Sequence, residues 1–136
     1  MSPAQTIVFA EEIRWPVVEL KHIYGKVGEN AACRYLKKKG YDILERNYRK
    51  RYGEIDIIAQ KDDLCVFVEV KTRADTAYGM ASEAVTKTKQ NKMVRTAKCY
   101  IMEHDLDAVF SFDVIEVYHK GLKVLSVNHI ENAFYV

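Results

Sequence analysis

At 136 residues, with 49% apolar and 29% charged residues and only six Gly and two Pro, the chain has the length and composition of one globular domain. Its net charge of +2 is mildly basic and does not by itself argue for nucleic acid, although locally clustered charge could. Cys33, Cys65 and Cys99 are odd in number and too widely spaced for a disulfide framework or a zinc knuckle, so reduced core thiols are expected. No apolar run approaches the roughly 18 residues that cross a bilayer. The opening MSPAQTIVFAEEIRWP lacks a basic n-region and meets Glu11 and Glu12 early. A cytoplasmic protein with no membrane partner is expected.

Residues 1–24 have mixed polarity and read as an N-terminal extension, a short helix or arm, ahead of one domain over 25–136. From Gly25 the pattern turns helical: Ala32, Cys33, Tyr35 and Leu36 form an apolar stripe, closed by Lys37, Lys38, Lys39 and the permissive Gly40. Tyr41 to Tyr48 reads as a strand, followed by the basic loop Arg49-Lys50-Arg51. Gly53 to Gln60 and Cys65 to Thr72 read as strands separated by the polar break Lys61-Asp62-Asp63-Leu64. A loop containing Gly79 leads to a helix starting at Ser82 or Thr86 and ending near Met102, with Gln90, Met93, Val94, Ala97 and Ile101 at helical spacing. Phe110 to Tyr118 and Leu122 to Val127 are two further strands joined at His119-Lys120-Gly121. The result is an α/β order, α-β-β-β-α-β plus a further C-terminal strand.

Acids stand in the middle of the second and third strands. Strict alternation puts Glu54, Asp56 and Ile58 on one face and Ile55, Ile57 and Ala59 on the other; the next strand puts Cys65, Phe67, Glu69 and Lys71 against Val66, Val68 and Val70. If Asp62-Asp63 is the tip of a tight hairpin, Asp56 sits opposite Glu69 and Glu54 opposite Lys71. Like charges about 5 Å apart destabilise a sheet. A shared proton, Lys71 on the same face, or a divalent cation with hard oxygen ligands would each compensate. Two carboxylates, a strand carbonyl such as that of Val70, and several waters suit Mg²⁺. Glu29 falls on or beside the stripe of the first helix, where it is either a further site acid or an ordinary helix-dipole acid. Lys71, two residues after Glu69, is a strand-end cation or a catalytic amine.

Cations surround these strands. Arg46, Arg49, Lys50, Arg51 and Arg73 are near them in sequence, and Lys87, Lys89, Lys92, Arg95 and Lys98 recur along the second helix, either as phosphate contacts or as a solvated face. GKVGEN lacks the Lys-Ser/Thr ending of a phosphate-binding loop, so Gly25 and Gly28 are expected to permit close packing or a turn. His22, His104, His119 and His129 show no metal spacing and read as surface or satisfied histidines.

Asp56 followed by Glu69-Val70-Lys71 resembles the PD-(D/E)XK nuclease signature. The chain is also similar to the YraN-like family of uncharacterised bacterial proteins, themselves described as similar to archaeal Holliday junction resolvases. The resemblance rests on GKVGENAACRYLKKKGYDILERNYR, GEIDIIA, VFVEVKTR, Lys89-Gln90, FDVI and HIENAF, from Gly25 to Phe134. It departs at Ser111, where that family usually has Arg, and before Gly25.

The resemblance implies a restriction-endonuclease-like fold, a central mixed β-sheet flanked by helices. It makes Glu29, Asp56, Glu69 and Lys71 the catalytic set, with Asp56, Glu69, Val70 and Glu29 about Mg²⁺ or Mn²⁺. Arg49, Arg51, Arg73, Lys89 and Gln90 become nucleic-acid contacts. The expected function is metal-dependent endonuclease action on nucleic acid, DNA of branched or structured form, by a homodimer. The alternative is a non-catalytic nucleic-acid-binding module with the same fold.

Overall fold

The computed structural model describes residues 17–77 and 85–135. Most of the expected N-terminal arm, the Gly79 loop and the Ser82 helix start lie outside those residues. Helix α1 (Val17–Lys38) leads to strands β1 (Asp42–Lys50), β2 (Gly53–Lys61) and β3 (Leu64–Ala74) and a short 3-10 turn (Asp75–Ala77). Helix α2 (Lys87–Glu103) precedes β4 (Val109–Lys120) and β5 (Lys123–Phe134). The strands form one open sheet in the order β1-β2-β3-β4-β5, parallel only between β3 and β4. That one parallel pairing requires a crossover, which α2 supplies. The order read from the sequence and the mixed sheet with a helix on each face are therefore those of the protein.

α1 runs without a break through Gly25, so its ordered length exceeds the apolar stripe on its N-terminal side. It ends as expected: Gly40 adopts φ 93°, and the amides of Gly40 and Tyr41 close onto the carbonyls of Lys37 and Leu36. α2 starts at the second of its two candidate caps, Thr86, whose side chain accepts from the Lys89 amide.

Two apolar layers sandwich the sheet. On one side Ala32, Cys33 and Leu36 of α1 pack on Ile57, Ala59, Val66, Val68, Ile115 and Val117. On the other, Met93, Ala97 and Tyr100 of α2 pack on Ile55, Ile58, Cys65, Phe67 and Phe112. Gly28 lets α1 approach β3 closely, since a Cβ there would lie 2.0 Å from Thr72 Oγ1. Nothing crowds Gly25. Cys33 and Cys65 are buried free thiols, whereas Cys99 is half-buried with its Sγ against the Tyr52 hydroxyl.

Strict alternation fails at one place in β2. Ile55 and Ile57, expected on one face, belong to opposite layers, while Ile55 and Ile58 share one. The strand therefore turns over at Asp56, between two residues that each find a different core.

Candidate active site

The β2–β3 hairpin has the register expected from a tight turn at Asp62-Asp63: Lys61 faces Leu64, Ile58 faces Phe67 and Ile57 faces Val68. Asp62 takes φ 53° at that turn. The ladder stops at Ile57–Val68, one step short of Asp56 and Glu69. Beyond it, the Val70 amide donates to Asp56 Oδ2 at 2.7 Å. Main-chain N–H groups of a strand lie close to the sheet plane, so a carboxylate bonded to one fills the split between β2 and β3. The turnover of β2 at Asp56 is what aims it there.

Burial pushes the Asp56 carboxyl up to about 7, helped by the Glu69 and Glu54 carboxylates and opposed by the Val70 amide and Lys89. Glu69 faces the other way along its own side chain, toward α2, where Lys89 Nζ is 3.3 Å from its Oε1. The two acids thus interact across the split, with Lys89 holding one of them. Lys71, next on the same side of β3 as Glu69, is half-buried and forms no ion pair among the described residues.

Glu29 reaches the same cleft as Asp56 from α1. The cleft, about 710 Å³, is lined by Lys21, His22 and Lys26 of α1, by Asn47, Arg49 and Glu54, and by Val70 and Thr72 of β3. Glu29 is 9% exposed, and its Oε1 accepts from Arg46 Nε, from an Arg46 terminal nitrogen and from Asn47 Nδ2. A helix-dipole role is excluded for a side chain buried in the middle of its helix, whereas anchoring by Arg46 explains why burial is tolerated. Among the described residues no three His, Cys, Asp or Glu side chains converge into a metal cage. The donors are instead two carboxylates and a strand main chain, with a protein cation on only one acid. A hard cation that keeps several of its waters fits such a set.

The nucleic-acid candidates separate. Arg49 pairs with Glu54 at 3.1 Å and borders the Asp56 cleft, while Arg51 is exposed on the turn after β1. Arg73 is committed to buried Glu116 at 3.0 Å. Gln90 Nε2 donates to the Val85 carbonyl just ahead of α2. Lys89 does reach the acids, at Glu69.

Sequence reading missed a buried polar network beneath α1. Asp113, 1% exposed, accepts from His129 Nε2 at 2.7 Å, from the Ser111 hydroxyl and from the Asn132 amide, and His129 Nδ1 meets the Tyr35 hydroxyl. Ser111 is thus one of the partners of the buried acid. The signal was present in FDVI and HIENAF, but only the β4–β5 pairing brings the two motifs together.

A five-stranded mixed sheet with a helix on either face and an acid pair at a strand split defines an α/β protein of the restriction-endonuclease-like class. The family model for "Uncharacterised protein family UPF0102" matches residues 28–117, and the chain belongs to that family, the YraN family. Its relatives include UPF0102 proteins of Caldicellulosiruptor saccharolyticus, 45% identical over 84% of this chain and 98% of that one, and of Clostridium botulinum strain Loch Maree, 50% identical over 82% and 94%. A third, from Myxococcus xanthus, is 42% identical over 82% of this chain and 88% of its own. No described helix is long and apolar enough to cross a membrane.

Proposed function

We propose that the protein is a metal-dependent endonuclease that hydrolyses phosphodiester bonds in branched or structured DNA. The observation that carries this reading is the Asp56 carboxyl held in the β2–β3 split, pushed up to about 7 by burial and by Glu69. A structural acid would be expected to have acquired its own cation, as buried Glu116 has in Arg73. Asp56 and Glu69, with the Val70 main-chain carbonyl, are the residues that would hold Mg²⁺ or Mn²⁺. When bound, the ion supplies charge stabilisation at the phosphoryl group and lowers the pKa of water.

The chain's own residues do the rest. Lys71 places an ammonium with no ion pair among the described residues beside the acids, where it orients the attacking water and stabilises charge on the phosphoryl oxygens. The Val70 amide fixes the Asp56 carboxylate in the split. Arg46 and Asn47 fix Glu29, which orients water in the Asp56 cleft. Lys89 neutralises Glu69 until substrate or cation arrives.

One observation favours a second reading, a non-catalytic nucleic-acid-binding module: protein cations already hold two of the three site acids, Glu29 and Glu69. A screen of junctions, flaps, duplexes and single strands with Mn²⁺ separates the two. Nicking that requires the ion and disappears in both Lys71→Ala and Glu69→Ala supports the enzyme. Tight binding without ion-dependent nicking supports the module, and nicking that survives both substitutions refutes the site.

A further inference from the structure

A second cleft, about 610 Å³, lies on the other side of the β1–β2 turn from the Asp56 cleft, between that turn and α2. Its lining carries six cations, Arg49, Lys50, Arg51, Lys89, Lys92 and Arg95, against the single carboxylate Glu54. The whole chain has a net charge of only +2, so this one groove is far more cationic than the molecule that contains it. Arg49 and Glu54 border both clefts, so the two adjoin at the turn.

The groove is built, not incidental. Gly53 lets the turn lean onto α2: a Cβ there would lie 2.5 Å from Thr96 Oγ1 and 3.0 Å from the Lys92 carbonyl. The cations are of two kinds. Arg49, Lys50 and Lys89 are tied to Glu54, Glu103 and Glu69. Exposed Arg51 and Lys92 form no ion pair among the described residues and are free to meet an anion. Lys89, Lys92 and Arg95 recur every third residue, so they span about 9 Å along the helix axis, a length over which one strand of a duplex presents two or three phosphates.

Base reading finds no support in the lining. Tyr52, its aromatic side chain, is covered by the Arg95 guanidinium 4.3 Å from the ring centroid, and its hydroxyl meets Cys99 Sγ. One face of the only aromatic ring in the lining is thus already occupied by a protein cation, which leaves little for a base to stack on.

We infer that this cleft binds the phosphodiester backbone of a nucleic-acid strand beside the scissile position, through phosphate contacts and without base contacts. The inference rests on the nucleic-acid reading of the Asp56 site, and adds the path of the substrate. Lys89 joins the two parts, because it borders the groove while holding Glu69.

The test is binding without hydrolysis. Fluorescence anisotropy with labelled duplex DNA, duplex RNA and a four-way DNA junction is measured in EDTA over 50–200 mM salt, on the wild type and on Arg51→Gln/Lys92→Gln. The control is Lys37→Gln/Lys38→Gln at the C-terminal end of α1, about 26 Å away along the length of β2 at 3.3 Å per residue. The expected result is at least tenfold weaker binding by the cleft variant and a salt slope shallower by about 2, with the control unchanged. The DNA and RNA arms identify which backbone is preferred. Equal binding by wild type and cleft variant overturns the cleft and leaves the nuclease reading standing. Cleft-dependent binding in a protein that never nicks does the reverse. Complete displacement by millimolar inorganic phosphate with a slope near 1 would mean a single-anion site, and would also overturn the inference.

Discussion

Asp56→Asn is expected to stabilise the protein. In the folded chain the carboxyl titrates near 7, against 3.8 when free in water. A raised acid is neutral in both states at low pH; as pH climbs through 4 the unfolded chain loses its proton first, and stability falls until the folded acid also ionises near 7. About three decades in proton affinity, at 1.36 kcal/mol each, set an upper bound of about 4 kcal/mol on the cost at pH 8. Relaxation and solvent screening bring the realistic figure to about 2 kcal/mol or a little more. Asparagine removes the charge while its Oδ1 can still accept from the Val70 amide. Urea unfolding of wild type and variant, in EDTA at pH 4 and pH 8, measures the difference. The variant should be more stable by about 2 to 4 kcal/mol at pH 8, with a Tm higher by on the order of 10 °C, and nearly equal to wild type at pH 4. An Asn variant no more stable than wild type at pH 8, or equally stabilised at both pH values, would refute the buried, Glu69-coupled acid.

The same acid should compete for protons with any bound ion: Mn²⁺ affinity, followed by calorimetry, should fall about tenfold per pH unit below 7, with proton release on binding. Gly28→Ala should destabilise by roughly 2 kcal/mol or more, because the added methyl meets Thr72 Oγ1 at 2.0 Å; Thr72→Ala in the same chain should recover part of the loss in a urea titration. Asp113→Ala should cost about 3 kcal/mol, since it removes the shared acceptor of the buried His129 ring, the Ser111 hydroxyl and the Asn132 amide, and the loss should be visible as a lower urea midpoint with an unchanged m-value. Lys89→Ala removes the cation that lowers the Asp56 pKa, so its Mn²⁺ binding should need a still higher pH, read from the same calorimetric series.

Much of the hairpin was legible in the sequence because its information is local. Apolar periodicity bounded β2 and β3, and Asp62-Asp63 set their register, so Ile57 and Val68 face each other as counting alone requires. Alternation failed at Asp56 because it assumes an unbroken ladder, whereas the strands part there and Ile55 follows α2 into the opposite layer. Glu29 was placed near the site by helical spacing, but its partner Arg46 comes from β1, and no local pattern links the two. The same holds for Lys89 with Glu69 and for His129 with Asp113: each pair is separated by a crossover or a hairpin and depends on packing between elements.

The contact between the Val70 N–H and Asp56 has a practical consequence. One peptide group in β3 is polarised by the very oxygen whose ionisation decides whether the split is anionic. Its nitrogen and proton resonances should therefore follow that ionisation in an ordinary two-dimensional spectrum, which turns a single backbone position into a spectroscopic gauge of the site needing neither substrate nor turnover.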